Sequence, residues 1–163
     1  MATLEELEKR IAAQEDLRAI ERLQANYWDS LDSKNWEGLR SILVEDFVFI
    51  NNTTGGRYEG REGMLATMQG KFCDGVTSSH QGHHHWVELV DEDRAISHWS
   101  LEDDLYDARN GGEFFGRAHY DNKYVKVDGS WYFEEMSLTY LRGQADIKKV
   151  GADCANAYKV FMM

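Results

Sequence analysis

Apolar residues recur every three to four positions near the start of the chain, a spacing typical of helices that bury one face. This recurrence predicts one or two helices over residues 3–31. The polar run at 32–35 ends the stretch, and we expect Asp32 or Ser33 to cap a short second helix that carries Trp36. The rest of this half is predicted to hold a short strand at 47–50, a turn at 51–56 and a helix with apolar residues between 64 and 72.

From residue 80 onwards apolar and polar residues alternate, which is typical of strands with one buried face. Four long strands are predicted at 80–90, 94–106, 114–127 and 131–141. The Asp128-Gly129 pair predicts a tight hairpin between the last two. A meander preceded by helices and one short strand predicts an α+β fold with helices packed on one face of a curved antiparallel sheet. We expect one domain over residues 1–142, followed by a helical tail or lid at 143–163.

Composition narrows the class of protein and the kind of partner. A chain of 163 residues with 42% hydrophobic content can bury the core of a single domain. It holds 18 basic against 29 acidic residues, a net charge of −11, which argues against nucleic acid or an anionic membrane as a partner because phosphate contacts need clustered Lys and Arg. Proline is absent, which excludes collagen-like and proline-rich disordered chains. The expected partner is therefore a small molecule.

Two cysteines and the absence of long apolar runs bear on the compartment. Cys73 and Cys154 are far apart and form no CxxC motif, so free thiols are expected rather than a disulfide framework. The first ten residues do not resemble a signal peptide, and no apolar run approaches the length of a membrane span. These features predict a cytoplasmic protein.

Two strands place ionisable residues where the alternation predicts apolar ones. Asp103 shares a strand face with Trp99 and Leu101, where an ionised carboxylate is costly unless it is paired. This residue is either a solvated acid at a strand end or an acid that orients a neighbouring histidine. His80 is out of phase with the inner face of its own strand, and a bulge at Gly82 would turn it inward.

The histidine run at 83–85 raises the question of a metal. His83 and His85 share a strand face and could chelate an ion, with His80 or a carboxylate as the third ligand. No H-E-x-x-H motif supports this, and the alternative is that the run faces solvent.

The segment from Tyr27 to Trp36 reads Y-x-x-x-x-D-x-x-x-W and resembles the end of the first helix in SnoaL-like proteins, a branch of the nuclear-transport-factor-two-like superfamily. The strand start at 80–83, the acidic strand at 101–103 and the hairpin at 127–131 follow at the intervals of that family. The resemblance covers about residues 4–142. It is closest to the branch that contains scytalone dehydratase, hexachlorocyclohexane dehydrochlorinase and bile-acid 7α-dehydratase.

The resemblance implies a cone-shaped α+β barrel with a deep apolar pocket and no metal or organic cofactor. Asp32 and His80 match the family's aspartate–histidine pair. Tyr27 and Asp103 match functional positions of the bile-acid enzyme, and Arg142 falls where a late arginine sits. The chain departs from scytalone dehydratase at two positions: Leu31 replaces a tyrosine and Tyr120 stands where a pocket asparagine is expected. Relatives associate through the outer sheet face, so a homo-oligomer, dimer or trimer, is expected.

These residues lead to the hypothesis of a cofactor-free dehydratase or related lyase acting on a hydrophobic cyclic or aromatic small molecule. His80 is predicted to be the general base, and Asp32 or Asp103 to orient its imidazole. Tyr27 is predicted to donate to a substrate oxygen, and Arg142 to stabilise enolate-like charge. The predicted substrate-binding residues are Trp28, Phe49, Trp99, Tyr120 and Arg142.

Two groups of alternatives to a dehydratase stay open at this point. The fold also serves binding proteins without catalysis and small (β) subunits of aromatic-ring-hydroxylating dioxygenases. It equally serves ketosteroid-isomerase-like isomerases and polyketide cyclases, which use a base without a leaving group.

Overall fold

The computed structural model describes the backbone of residues 2–146 and the side chains of residues 2–141. The elements are α1 (Leu4–Asp32), α2 (Trp36–Ser41), β1 (Leu43–Asn51), β2 (Gly56–Glu59), α3 (Arg61–Lys71), β3 (Val76–Leu89), β4 (Arg94–Asp107), β5 (Gly112–Val127) and β6 (Ser130–Asp146). The predicted α+β class is confirmed: a long first helix packs on a six-stranded sheet. Most of the predicted tail, residues 147–163, lies outside the described residues.

Helix α1 is a single helix, and only its C-terminal half is buried. Its start is fixed by a capping box in which Glu6 N donates to Thr3 Oγ1 at 3.2 Å and Thr3 N donates to Glu6 Oε2 at 2.7 Å. The buried stripe begins at Ile20 and continues to Leu31. The cap of α2 differs from the prediction: Asn35, not Asp32 or Ser33, accepts a hydrogen bond from Gly38 N at 2.9 Å.

The sheet has the order β2-β1-β6-β5-β4-β3. The four predicted long strands form the antiparallel meander β3–β6, and the Asp128-Gly129 hairpin is confirmed by positive φ values of 50° and 78°. The sheet is mixed rather than wholly antiparallel because β1 pairs parallel with β6. Strand β6 also continues through 143–146, where a helix was predicted, since this stretch pairs with the start of β5.

Strand β3 contains a bulge between His83 and Trp86, where His84 adopts a φ of 45°. The bulge places His80 on the same face as Val87, as predicted, but it lies beyond Gly82 rather than at it. Gly82 has a different role. The Trp28 ring of α1 lies directly against its Cα, and a Cβ at this position would overlap that ring. The glycine therefore lets α1 approach the strand that carries His80.

The hydrophobic core lies between the inner face of the sheet and the three helices. Its fully buried members include Phe47 of β1, Met64 of α3 and Phe133 of β6. Helix α3 packs against β1, β2 and α2, and it contributes Met64, Leu65 and Met68 to this core. None of the helices in residues 2–146 combines the length and the apolar character that crossing a bilayer requires.

Candidate active site

A cavity of about 50 Å³ opens between α1, α3 and the inner face of the sheet. Its walls are mainly apolar and aromatic, with a few ionisable groups: Tyr27, Leu31, Phe49, Asn51, Met68, Lys71, Phe72, His80, Asp103, Leu105, Phe114, Tyr120, Leu138 and Tyr140. A water needs about 10–15 Å³ of such space, so the cavity holds only a few waters. A cyclic ligand therefore requires the lining side chains to move apart.

The end of α1 and strand β3 meet in a hydrogen-bonded pair of Asp32 and His80. The imidazole Nδ1 lies 2.6 Å from Asp32 Oδ1, and the His80 peptide N–H donates to Oδ2 at 2.9 Å. The Ser78 hydroxyl adds a third bond, donating to Oδ1 at 2.6 Å. Burial raises the pKa of Asp32, but the hydrogen bonds and charge of His80, together with the Ser78 bond, outweigh it and leave the pKa below its usual value.

This pairing fixes how the histidine can act. An ionised Asp32 accepts from Nδ1–H, so Nε2 is the nitrogen left for a ligand. The His80 side chain is only 4% exposed and lines the cavity, with its ring 5.8 Å from that of Phe72. The arrangement can accept a proton from a molecule held in the cavity.

Asp103 faces His80 across the β3–β4 pairing and is 2% exposed. The Tyr140 hydroxyl donates a short hydrogen bond to its Oδ2, while Oδ1 has no hydrogen-bond partner of ordinary geometry among the described residues. Burial raises the pKa of Asp103, although Tyr140 and His80 partly oppose this shift. The protonated carboxylic acid is therefore favoured more than at an exposed aspartate.

Gly116 makes room for the Asp103 carboxylate. It lies opposite Asp103 on β5, and a Cβ there would overlap Oδ1 and come within 2.5 Å of the Tyr140 ring. The side chain of any other residue would occupy the space that the Asp103–Tyr140 pair uses. The glycine inside this strand therefore leaves room for the Asp103 carboxyl group.

Two further tyrosines line the cavity next to this pair. Burial raises the pKa of Tyr27, and the Tyr120 hydroxyl beside it partly opposes the shift. The two rings meet edge to face at 6.2 Å. Burial also raises the pKa of Tyr120, so both hydroxyls stay neutral over the physiological range and can donate hydrogen bonds.

The structure brings most of the predicted site residues together. Tyr27, His80 and Asp103 line one cavity, and Asp32 supports His80 from behind. Two of the predicted wall residues, Phe49 and Tyr120, also line it. The Arg142 side chain lies outside the described residues.

The prediction that Trp28 and Trp99 line the cavity is corrected by the structure. Trp28 is next to Tyr27 on α1, a rotation of about 100° that turns it toward β3 and β4 instead. Its ring meets that of Trp99 edge to face at 5.4 Å. Trp99 lies on the same face as Asp103 but four residues earlier on β4, where His85 stacks on it at 4.0 Å. Both tryptophans hold the helix on the sheet beyond the cavity.

The histidine run does not form a metal cluster within residues 2–146, where no group of three or more His, Cys, Asp or Glu side chains is placed to hold an ion. His83 is exposed, and His85 bonds to Glu21 at 3.1 Å.

Sequence reasoning missed four polar residues of the site. Asn51, which was predicted only as part of a turn, lines the cavity from the end of β1. Tyr140 follows the alternation of β6 and could have been found by extending the inner face of that strand. Ser78 lies just before the predicted start of β3. Lys71 reaches the cavity from the last turn of α3, where a lysine is ordinary and gives no sequence signal.

Residues 12–137 match the SnoaL-like domain, which is most of the chain. The chain belongs to the SnoaL-like domain family. Solved structures similar to this SnoaL-like protein share its nuclear-transport-factor-two-like fold. Their identities lie below 25%, so the likeness concerns the fold alone.

Three of these structures show the range of proteins with the fold. A Novosphingobium aromaticivorans protein, provisionally named a scytalone dehydratase, is 23% identical with a TM-score of 0.76, covering 83% of this chain and 90% of its own. The type-3 hexachlorocyclohexane dehydrochlorinase LinA of Novosphingobium barchaimii is 18% identical with a TM-score of 0.76, covering 85% and 95%. A Mycobacterium tuberculosis protein of unknown function is 21% identical with a TM-score of 0.71, covering 92% and 85%. The SnoaL-like fold is thus shared with proteins named as a dehydratase and a dehydrochlorinase and with a protein whose function is unknown.

Proposed function

We propose that this SnoaL-like protein is a cofactor-free lyase that eliminates water or a similar leaving group from a hydrophobic cyclic or aromatic small molecule. The observation that carries the proposal is the Asp32–His80 hydrogen bond at 2.6 Å beside a cavity that also holds Asp103. A base and an acid with different environments thus share one small space. Dehydratase and dehydrochlorinase names among the structural neighbours support the same class of reaction.

The proton-abstracting step falls to His80. Its Nε2 removes a proton from a carbon next to an activating group, and the imidazolium that forms is stabilised by the Asp32 carboxylate. The electron pair of the broken C–H bond first moves into the activating group as an enolate, which can take a deuteron back from His80 in D₂O, and it then forms the new double bond as the bond to the leaving group breaks. A positioned base of this kind contributes about 10²–10⁴-fold to the rate.

The leaving group needs a proton, and Asp103 is placed to supply it. Burial favours the protonated form of this carboxyl, and Tyr140 holds it in position. A departing hydroxyl that takes this proton leaves as water, and the proton held by His80 then returns to the Asp103 carboxylate directly or through that water. Tyr27 donates a hydrogen bond to a substrate oxygen. Substrate stabilisation by Arg142 stays a prediction from the sequence.

The cavity lining supports a hydrophobic ring as the reacting group. Phe49, Phe114 and Tyr120 supply aromatic walls, and Leu105 and Leu138 complete them. Excluding water around the ring strengthens each polar contact at the reacting carbon. The predicted homo-oligomer and cytoplasmic location are part of the same proposal.

The test uses a panel of cyclic ketones and hydroxyketones incubated with the protein in D₂O. Mass spectrometry records deuterium gain at the activated carbon and loss of 18 mass units from the substrate. We expect wild-type protein to show both on at least one compound, and His80→Gln to lower both rates by about 10²–10⁴-fold because the base is lost. Asp32→Asn is expected to lower them as well, since the imidazole loses its oriented tautomer.

His83→Gln is the matched control, because His83 lies on the same strand but is exposed. It should leave both rates unchanged, and circular dichroism should show that all three variants are folded. Unchanged turnover in His80→Gln contradicts the mechanism. Deuterium gain without loss of water indicates an isomerase or cyclase instead. Binding with neither reaction indicates a binding protein or an accessory subunit of an aromatic oxygenase.

A further inference from the structure

Lys71, the last residue of α3, is the one lysine or arginine among the described residues that line the cavity. Its side chain is partly buried, and its Nζ lies 5.6 Å from the centre of the Tyr58 ring. The proposed mechanism does not use it. A positive charge is thus held at the edge of a mainly apolar space.

The ammonium group of Lys71 has no carboxylate partner within the described part of the chain. Lys9, Lys123 and Lys126 each pair with an acidic side chain, at 3.1, 2.7 and 2.7 Å. Lys34 donates to the Val76 carbonyl at 2.7 Å. Among the side chains that the structure describes, Lys71 contacts the ring of Tyr58 and no carboxylate, and burial lowers the pKa of its ammonium group. A partly buried cation without a counter-charge is costly, and a ligand of opposite charge removes that cost.

The other ionisable groups that line the cavity have partners of their own, so the counter-charge for Lys71 would come from a bound molecule. His80 is paired with Asp32, and the Asp103 carboxyl is bonded to Tyr140 rather than to Lys71. Because burial favours the neutral form of Asp103, an anionic ligand can enter the cavity without strong repulsion from this carboxyl group. The remaining cavity walls are apolar, apart from the uncharged Asn51 amide and neutral tyrosines.

We propose that Lys71 binds an anionic oxygen of the substrate, so that the molecule acted on is a hydrophobic cyclic acid rather than a neutral ring. This inference rests on the proposed function, because it takes the cavity to be the substrate site. The ammonium group holds the acid at the α3 side, and the ring extends past Phe72 toward His80. The competing explanation is that Lys71 only complements the C-terminal dipole of α3.

The test measures binding without turnover. Titration calorimetry at pH 7 and low salt compares benzoate with benzamide, and 1-naphthoate with 1-naphthamide. Each pair has the same ring and differs in charge. We expect wild-type protein to bind the acid about tenfold or more tightly than its amide, because the charge-assisted contact exists only with the acid.

Three substitutions at one position and one control decide the result. Lys71→Met and Lys71→Gln should lose the preference for the acid while still binding the amide, and Lys71→Arg should keep it. Lys9→Met removes an exposed lysine far from the cavity and should behave as wild type. Amide binding by the Met and Gln variants shows that the cavity is intact. The proposal is overturned if either variant keeps the preference, or if wild-type protein binds neither acid more tightly than its amide.

The same measurement on His80→Gln separates this inference from the proposed function. The acid preference should survive there, because Lys71 is unchanged. Loss of the elimination reaction from the panel with the preference intact counts against the lyase alone. Elimination that depends on His80 without an acid preference counts against the role of Lys71 alone.

Discussion

Gly116→Ala tests whether the packing of Asp103 against the strand backbone sets the geometry of the site. Gly116 lies in an extended strand, so alanine is compatible with its backbone and would by itself stabilise the protein by about 0.4–1 kcal/mol. The added Cβ, however, would overlap Asp103 Oδ1 and lie 2.5 Å from Tyr140 Cε1 and 2.8 Å from Phe114 Cε1. Ordinary contacts are 3.4–4 Å. The carboxyl and the Tyr140 ring must therefore move apart.

The expected loss of stability in Gly116→Ala combines two effects. Losing a buried hydrogen bond to a carboxyl costs about 1.5–3 kcal/mol, and overpacking a core costs about 1–3 kcal/mol. After the backbone gain is subtracted, we expect a net loss of roughly 1.5–5.5 kcal/mol in the free energy of unfolding. Urea unfolding at pH 7, followed by tryptophan fluorescence, measures it.

Gly63→Ala is the matched control. Gly63 is exposed near the start of α3, and a Cβ there would meet nothing within 4 Å. It should be neutral or slightly stabilising because alanine favours helices. A stability of Gly116→Ala equal to that of wild type would refute the reasoning.

A double-mutant cycle adds a second criterion. Tyr140→Phe alone should destabilise the protein because it leaves the Asp103 carboxyl without its donor. In the Gly116→Ala background the same change should cost far less, since the bond is already broken. Additive effects of the two substitutions would show that the clash does not act through the Asp103–Tyr140 pair.

The remaining predictions concern helix packing and pH. Gly82→Ala should lower the free energy of unfolding by about 1–3 kcal/mol, because the new Cβ displaces the Trp28 ring; an unchanged urea midpoint would contradict this. Asp103 has a raised pKa in the folded protein, so the unfolded state loses its proton first and stability falls as pH rises above the ordinary value of 3.8. Asp103→Asn removes this penalty, and its stability relative to wild type should be more favourable at pH 7 than at pH 4. Asp32 has the opposite shift, so Asp32→Asn should lose most stability near neutral pH and least below pH 3.8; urea titrations at several pH values check both signs.

Local sequence pattern was enough to predict the elements that bury one clear face. Helix α1 and the strands β3–β6 have long, regular patterns of apolar residues, and the Asp128-Gly129 pair readily adopts the positive φ values of a tight turn. Strand β2 was missed because it has only four residues and most of them are not apolar. The parallel pairing of β1 with β6 was also missed, since it joins segments far apart in the chain and no local pattern reports it.

The sequence indicated which types of residue form the site, but it indicated less well where each residue lies along the cavity. The alternation indicates which face a residue occupies, and this placed Asp103 on the inner face; His80 was out of phase and needed a bulge, which the structure has between His83 and Trp86. The alternation does not indicate the position along the cavity. Trp99 was therefore placed at the site although it lies four residues from Asp103, beyond the cavity. Tyr140 and Lys71 were missed because their importance depends on what packs around them.

Strand β6 is central to the sheet, and this has a consequence for how the protein is made. It pairs with β5 on one side and β1 on the other, and it carries Tyr140 into the cavity. During synthesis β1 emerges early, and one edge of this apolar strand stays unpaired until β6 leaves the ribosome. Contacts so distant in the chain form slowly. The cavity is therefore incomplete until β6 has paired, and a chain that ends before β6 lacks both a central strand of the sheet and the Tyr140 hydroxyl that holds Asp103 in place.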